Sequence, residues 1–154
     1  MSKPTLTLDT EDVVMAMSDH MTQWQIDPIT GKLCLDREEA DIAFGSDEAE
    51  LWAPTDPERV LEPPHFSSSD GYRLMETFSL KHASDEASDE LLSALDRRKP
   101  FRQFKDALTG FPEVRHRWFE FEAREMKRIA EDFYEAQGYA IEWMQAPAGS
   151  AKGE

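Results

Sequence analysis

Between Phe101 and Gly138 the spacing of apolar residues leaves room for little besides two consecutive helices. Phe101, Phe104 and Leu108 recur at i, i+3 and i+7 with Ala107 beside them, while Arg102, Lys105 and Asp106 take the other side. Gly110 suits the end of that run. Pro112 suits a start, because its missing N–H has no intrahelical partner in a first turn anyway. The second helix is read from Pro112 to Gln137 and stops at Gly138. Phe119, Ala123, Met126, Ala130 and Phe133 follow a 4-3-4-3 stripe, flanked by Trp118 and Ile129. The outer face pairs Glu120 with Arg124, Lys127 with Glu131 and Arg128 with Asp132 at i, i+4. The pattern predicts a helical hairpin over 101–137, with Phe104 and Phe119 as core anchors.

Upstream, the signals are shorter. Asp9 or Thr10 caps a helix over Glu11–Ser18 whose Val13, Val14, Met15 and Met17 mark one broad face. In "MTQWQIDPITGKLCLD", Trp24 and Ile26 alternate with polar neighbours, as do Leu33 and Leu35. "DPITG" between them supplies a preset φ at Pro28 and a tolerated positive φ at Gly31, so a β-hairpin over 22–36 is expected. "TGK" lacks the first glycine and the spacing of a phosphate loop. Residues 36–62 hold ten acids, two arginines, Pro54 and Pro57. "DREEADIAFG" within them reads equally as a helical turn or a bent strand, and "ERVLEPPHF" as a short edge strand near 59–62 stopped by Pro63 and Pro64. "SSSDGYRLMETFSL" opens with capping residues and spaces Tyr72, Met75 and Phe78 for a helix. "HASDEASDELLSALDRRKP" puts acids at its start and Arg97, Arg98 and Lys99 at its end, the order a helix macrodipole favours, with Pro100 as its stop. Its acids lack the alternating ligands and glycine of a calcium loop. "YAIEW" near 139–143 is a final strand.

Charge decides the rest. The 154 residues carry a formal net charge of −15, but residues 1–95 hold 21 acids and 6 bases while residues 96–154 hold 11 of each. The whole excess therefore lies upstream, and Asp96–Arg117 alone contains seven Lys/Arg against three acids. A body so anionic repels nucleic acid and anionic membranes over most of its surface. The first twelve residues offer no apolar run for a leader, and the longest apolar run, Val13–Met17, is far short of a membrane span. One cysteine, Cys34, excludes an internal disulfide and fits a reducing compartment. The expectation is a cytoplasmic protein of one domain, whose 40% hydrophobic residues suffice for a core.

The candidate site is the locally basic corner, and the residues chosen from it are Arg98, Arg102, Lys105, Arg115, Arg117 and Trp118. Arg and Trp are favoured anchors at protein interfaces. The first reading of this corner is a solvated end whose charge balances the acids of 36–62, and a protein-partner surface comes second. No glycine loop or recognition-helix motif accompanies the cations, so a nucleic-acid or phosphate-ligand role ranks below a protein partner. His20, His65, His82 and His116 show no ligand spacing, so no metal site is assigned. No nucleophile elbow and no dinucleotide fingerprint occurs, so no catalytic residue and no cofactor is named.

The phrases "ITGKL", "GYRLMETF", "KPFRQFKDAL", "RHRWFEFEAREMKRIAEDFYEAQG" and "IEW", in that order over residues 13–144, resemble an uncharacterised family of small acidic bacterial proteins. Phe-Arg-x-Phe-Lys-Asp followed by Arg-Trp-Phe-x-Phe is the most specific part. The likeness implies an α+β domain and a bacterial source; it implies no activity, cofactor or catalytic residue. It is poorest over 36–57 and after Met144.

The expected architecture is α+β: one small antiparallel sheet, from the 22–36 hairpin and the strands near 59–62 and 139–143, packed on about four helices. Residues 1–9 and 145–154 are expected as flexible tails around a single domain, 10–144. The expected function is a non-enzymatic protein-interaction or regulatory role, with a nucleic-acid or phosphate binder and an enzyme of unidentified class as alternatives. An acidic decoy that mimics nucleic acid is one form of the first.

Overall fold

The computed structural model describes residues 3–144, so the tail expected over 145–154 lies outside the described residues. In chain order the elements are β1 (Thr5–Leu8), α1 (Thr10–Ser18), β2 (Gln25–Ile26), β3 (Leu33–Cys34), α2 (Arg37–Phe44), α3 (Ser46–Ala49) and a 3-10 turn (Glu50–Trp52). Then follow α4 (Ser68–Lys81), α5 (Asp85–Leu95), α6 (Pro100–Leu108), α7 (Pro112–Glu135) and β4 (Ala140–Trp143). The class is α+β, as expected. Contacts gather these elements into two compact units: residues 66–125, and the described residues on either side of them.

The helical unit is built on one capping box and on aromatic packing. Ser67 Oγ accepts from Asp70 N–H at 3.2 Å while the Asp70 carboxylate accepts from Ser67 N–H at 2.9 Å, a capping box that starts α4. α5 buries Ala87, Leu91, Ala94 and Leu95 on one stripe, and its Leu95 carbonyl accepts from the Tyr72 hydroxyl at 3.1 Å. Pro100 does not end α5, which stops at Leu95. It occupies the first turn of α6, and Lys99 before it, outside the helix, takes a left-handed φ of 54°. Phe104 and Leu108 of α6 meet Val114, Trp118 and Phe121 of α7 and Met75 and Phe78 of α4 in one core. The Trp118 ring stands edge-on to Phe104 at 5.0 Å and to Phe78 at 5.4 Å.

Two expectations fail here. Trp118, chosen as a surface anchor, is 1% exposed, and Phe119, chosen for the core, is 46% exposed. The buried face of α7 is Val114, Trp118 and Phe121, then Met126, Ala130 and Tyr134. One residue of helix is a rotation of about 100°, so reading the stripe from 119 rather than 118 turned the first half of α7 outward. Phe119 instead lies under the Arg115 guanidinium, 4.9 Å from its ring centre.

The α/β unit is organised by strands. β1 and β4 pair in parallel, Leu6 opposite Ile141 and Leu8 opposite Trp143. Those four side chains share one face. Leu6 and Leu8 are fully buried, and Trp143 donates from Nε1 to Glu131 at 2.7 Å while Lys127 of α7 lies over its ring. Residues 5–8 were expected in a tail (1–9); the Thr-Leu alternation gives them a buried face and a partner instead. The hairpin of 22–36 is present, but its ladder is only β2 with β3, and the strand near 59–62 reduces to a single bridge from Leu61 to Ile26. The strand near 139–143 does exist as β4. It joins β1 and not the hairpin, so the described strands form two two-stranded sheets in place of one antiparallel sheet.

Hydrogen bonds and one glycine finish this unit. Asp27, 4% exposed, accepts from Ile29 N–H at 2.8 Å and from Thr55 N–H and Oγ1 at 2.8 and 2.7 Å, tying the hairpin turn to the loop before Asp56. Gly31 takes a φ of +76°, and a Cβ there would lie 1.7 Å from the Thr7 carbonyl oxygen of β1. Only glycine permits that approach. The Tyr134 hydroxyl donates to the Glu62 carbonyl at 2.7 Å, fixing the segment that bridges to Ile26.

Candidate interaction surfaces

Arg98, Arg102, Lys105, Arg115 and Arg117 are all exposed. None forms an ion pair among the described residues. They lie on the link before α6, on α6 and on the first turns of α7. With Trp118 buried, the helical rotation puts Arg115 on one flank of α7, beside Phe119, and Arg117 on the other. Arg102 and Lys105 share the outward side of α6. The Lys105 charge reaches the half-buried Glu122, whose carboxyl is held above its usual range by burial and is partly eased by that lysine. Of the outer-face pairs expected on α7, Arg128–Asp132 forms at 3.7 Å, while Glu120 turns to His116 at 3.5 Å.

The acidic stretch offers a different surface. Asp36 caps α2 by accepting from Glu38 N–H at 3.2 Å. Arg37 is the one base among seven acids between Asp36 and Glu50, and it pairs with Asp41 at 3.1 Å and with Glu50 at 3.8 Å. Phe44 stacks on Trp52 at 5.2 Å, and Trp24 meets Trp52 edge-on at the same distance. Trp24 Nε1 donates to Asp19 at 2.9 Å. That bond, the Met21 N–H and Thr22 together hold the Asp19 carboxyl below its usual range, the Met21 N–H contributing most. Around this aromatic trio the apolar side chains are not all sheltered: Ile42 and Leu51 are each 77% exposed and Phe44 is 37% exposed. The sequence signal for this surface was present in "ADIAF" and "ELW", but acids with no clear period obscured it.

Reactive chemistry is scarce. Among the described residues no group of three or more His, Cys, Asp or Glu side chains is placed to hold a metal ion. Burial, and then the charge of Asp27, push the Cys34 thiol up to about 11, so it is not a thiolate at neutral pH. The described helices include none long and apolar enough to cross a membrane.

Residues 4–146 match the profile of the Uncharacterised protein family (UPF0158). The chain belongs to this family. A UPF0158 protein of Pseudomonas aeruginosa (strain PAO1), PA5073, is 27% identical over 130 residues, covering 84% of this chain and 82% of that protein. No solved structure matches. Membership in UPF0158 agrees with the likeness in the sequence phrases, and it brings no reaction or ligand with it. What the UPF0158 surface can do therefore rests on the charges and apolar groups just described.

Proposed function

We propose that this chain is a non-enzymatic protein-interaction protein whose docking face is the acidic segment from Asp36 to Trp52. The observation that carries the reading is the exposure of Ile42 and Leu51 beside a half-open Phe44, on a stretch where seven acids face one base. A single exposed leucine is ordinary. Apolar groups rimmed by one sign of charge suit a basic partner with apolar side chains, the acids steering its approach and the apolar groups holding it. Full-length wild type and the Ile42→Asp/Leu51→Asp variant, immobilised side by side in bacterial lysate at low and moderate salt, test it. The expected result is a specific protein retained by wild type and lost by the variant, with both chains equally folded by circular dichroism. Identical capture by the two chains overturns the reading.

A second reading is a polyanion binder using Arg98, Arg102, Lys105, Arg115 and Arg117. It is favoured by one observation, that these exposed cations have no ion-pair partner among the described residues. Binding of labelled oligonucleotides would then weaken with salt at a log–log slope of about −0.7 to −0.9 per phosphate neutralised. Arg102→Ala/Lys105→Ala would shrink both affinity and slope. No binding at low salt removes this reading.

A further inference from the structure

We propose that the outer edge of β4 is a docking site for an extended segment of a partner protein carrying a Lys or Arg opposite Glu142. The argument starts from hydrogen-bond parity. Ala140 N–H donates to the Pro4 carbonyl at 2.9 Å and Met144 N–H to the Leu8 carbonyl at 2.7 Å. In a parallel ladder the residue that faces the neighbouring strand does so with both its N–H and its C=O, and alternate residues face away. The even positions of β4 therefore serve β1, and the backbone groups of Ile141 and Trp143 point outward. Neither N–H has a hydrogen-bond partner among the described residues.

The same parity aims the Thr7 carbonyl of β1 away from β4, and there Gly31 closes in so tightly that no Cβ fits. One edge of this sheet is sealed by the hairpin, so it can grow only at β4. Two parallel strands are a small sheet for a pair that buries Leu6 and Leu8 completely, and added strands are what usually complete such sheets. Main-chain groups at a two-residue period select an extended backbone as the occupant. Charge selects its side chains: Glu142 is exposed on the face opposite Ile141 and Trp143, where a cross-strand cation would lie against it. A second copy is disfavoured by the net charge of −15, and antiparallel pairing centred on residue 142 would set Glu142 against its twin.

Amide exchange on the full chain tests this. The probe is a capped synthetic peptide alternating Val or Thr with Lys, used beside a version N-methylated at every second residue and a version with Glu for Lys. In the free chain Ile141 and Trp143 amides should exchange fast while those of Glu142 and Met144 are protected. The Lys peptide should slow Ile141 and Trp143 by about tenfold, the worth of two modest hydrogen bonds, and the N-methylated one should leave them unchanged. Glu142→Lys should reverse the preference between the Lys and Glu peptides, each shift being about two- to fivefold. Protection of Ile141 and Trp143 already in the free chain overturns the proposal, because the edge is then occupied. A rise of that protection with protein concentration would assign it to a second copy, and its persistence at high dilution to this chain's own residues 145–154. No added protection at roughly millimolar peptide overturns it equally. Neither Ile42 nor Leu51 enters this measurement, so it stands or falls apart from the acidic docking face.

Discussion

Residues 66–125 are held together by large side chains meeting large side chains, whereas the α/β unit adds to its buried apolar core a set of close contacts in which the backbone itself takes part. In the first, Trp118, Phe104, Phe78 and Phe121 form one aromatic core and the polar bonds sit at helix ends. In the second, the decisive contacts are Gly31 against Thr7, Asp27 against the Thr55 N–H and hydroxyl, and Tyr134 against the Glu62 carbonyl. A core of side chains tolerates a shift of a few tenths of an ångström by repacking. A backbone approach at that distance has nothing to move. The two units should therefore fail under different substitutions: truncation hurts one, and addition hurts the other.

The largest expected effect is Phe104→Ala, a fully buried truncation that should cost about 3–5 kcal/mol by urea denaturation. Gly31→Ala comes next, at about 2–4 kcal/mol, although it adds only a methyl group. If that alanine is tolerated within experimental scatter, the hairpin does not sit against β1 as described and the contrast collapses. Asp27→Asn should cost about 1–3 kcal/mol at neutral pH, with a pH signature of its own. Burial alone would raise the Asp27 carboxyl, but hydrogen bonds from Thr55, Ile29 and Thr30 outweigh it and hold the group below its usual value. A carboxylate lowered on folding adds stability that is complete above its unfolded pKa and is lost as pH falls through the folded one. Wild type and Asp27→Asn should therefore converge in stability as the pH drops below about 4. The smallest effect is Phe119→Ala, under about 1 kcal/mol, because the ring is half-exposed and its Arg115 contact is solvated. A loss as large as that of Phe104→Ala would mean that α7 faces the other way.

The difference between the units also explains what the sequence could disclose. Helices signal themselves locally: Ser67 with Asp70, the stripe of α5 and the run Phe104–Leu108 all lie within one or two turns, so α4 to α7 were legible to within a few residues. The face of α7 was harder, because Trp118 and Phe119 are both large and apolar and periodicity alone separates them poorly. β1 was missed because its four residues acquire meaning only from β4, and nothing local in "TLTL" says which strand will come. Of the candidate site, the exposed cations were readable from type and position. The division of Arg115 and Arg117 between two flanks of α7, and the exposure of Ile42 and Leu51, depend on rotation and packing that no spacing rule fixes.

Thr5 pairs with Ala140, and 135 positions of chain separate them. A growing polypeptide cannot make that contact until residue 140 has emerged, and loop closure over such a span is entropically slow compared with the neighbour-to-neighbour docking of α4, α5 and α6. Synthesis therefore imposes an order of events: the 66–125 helices have every partner they need early, while Leu6 and Leu8 wait, uncovered, for the last strand to arrive. Nascent chains arrested before residue 140 should show protease-resistant helices and a cleavable N-terminal segment, with resistance at residues 5–8 appearing only once β4 is out.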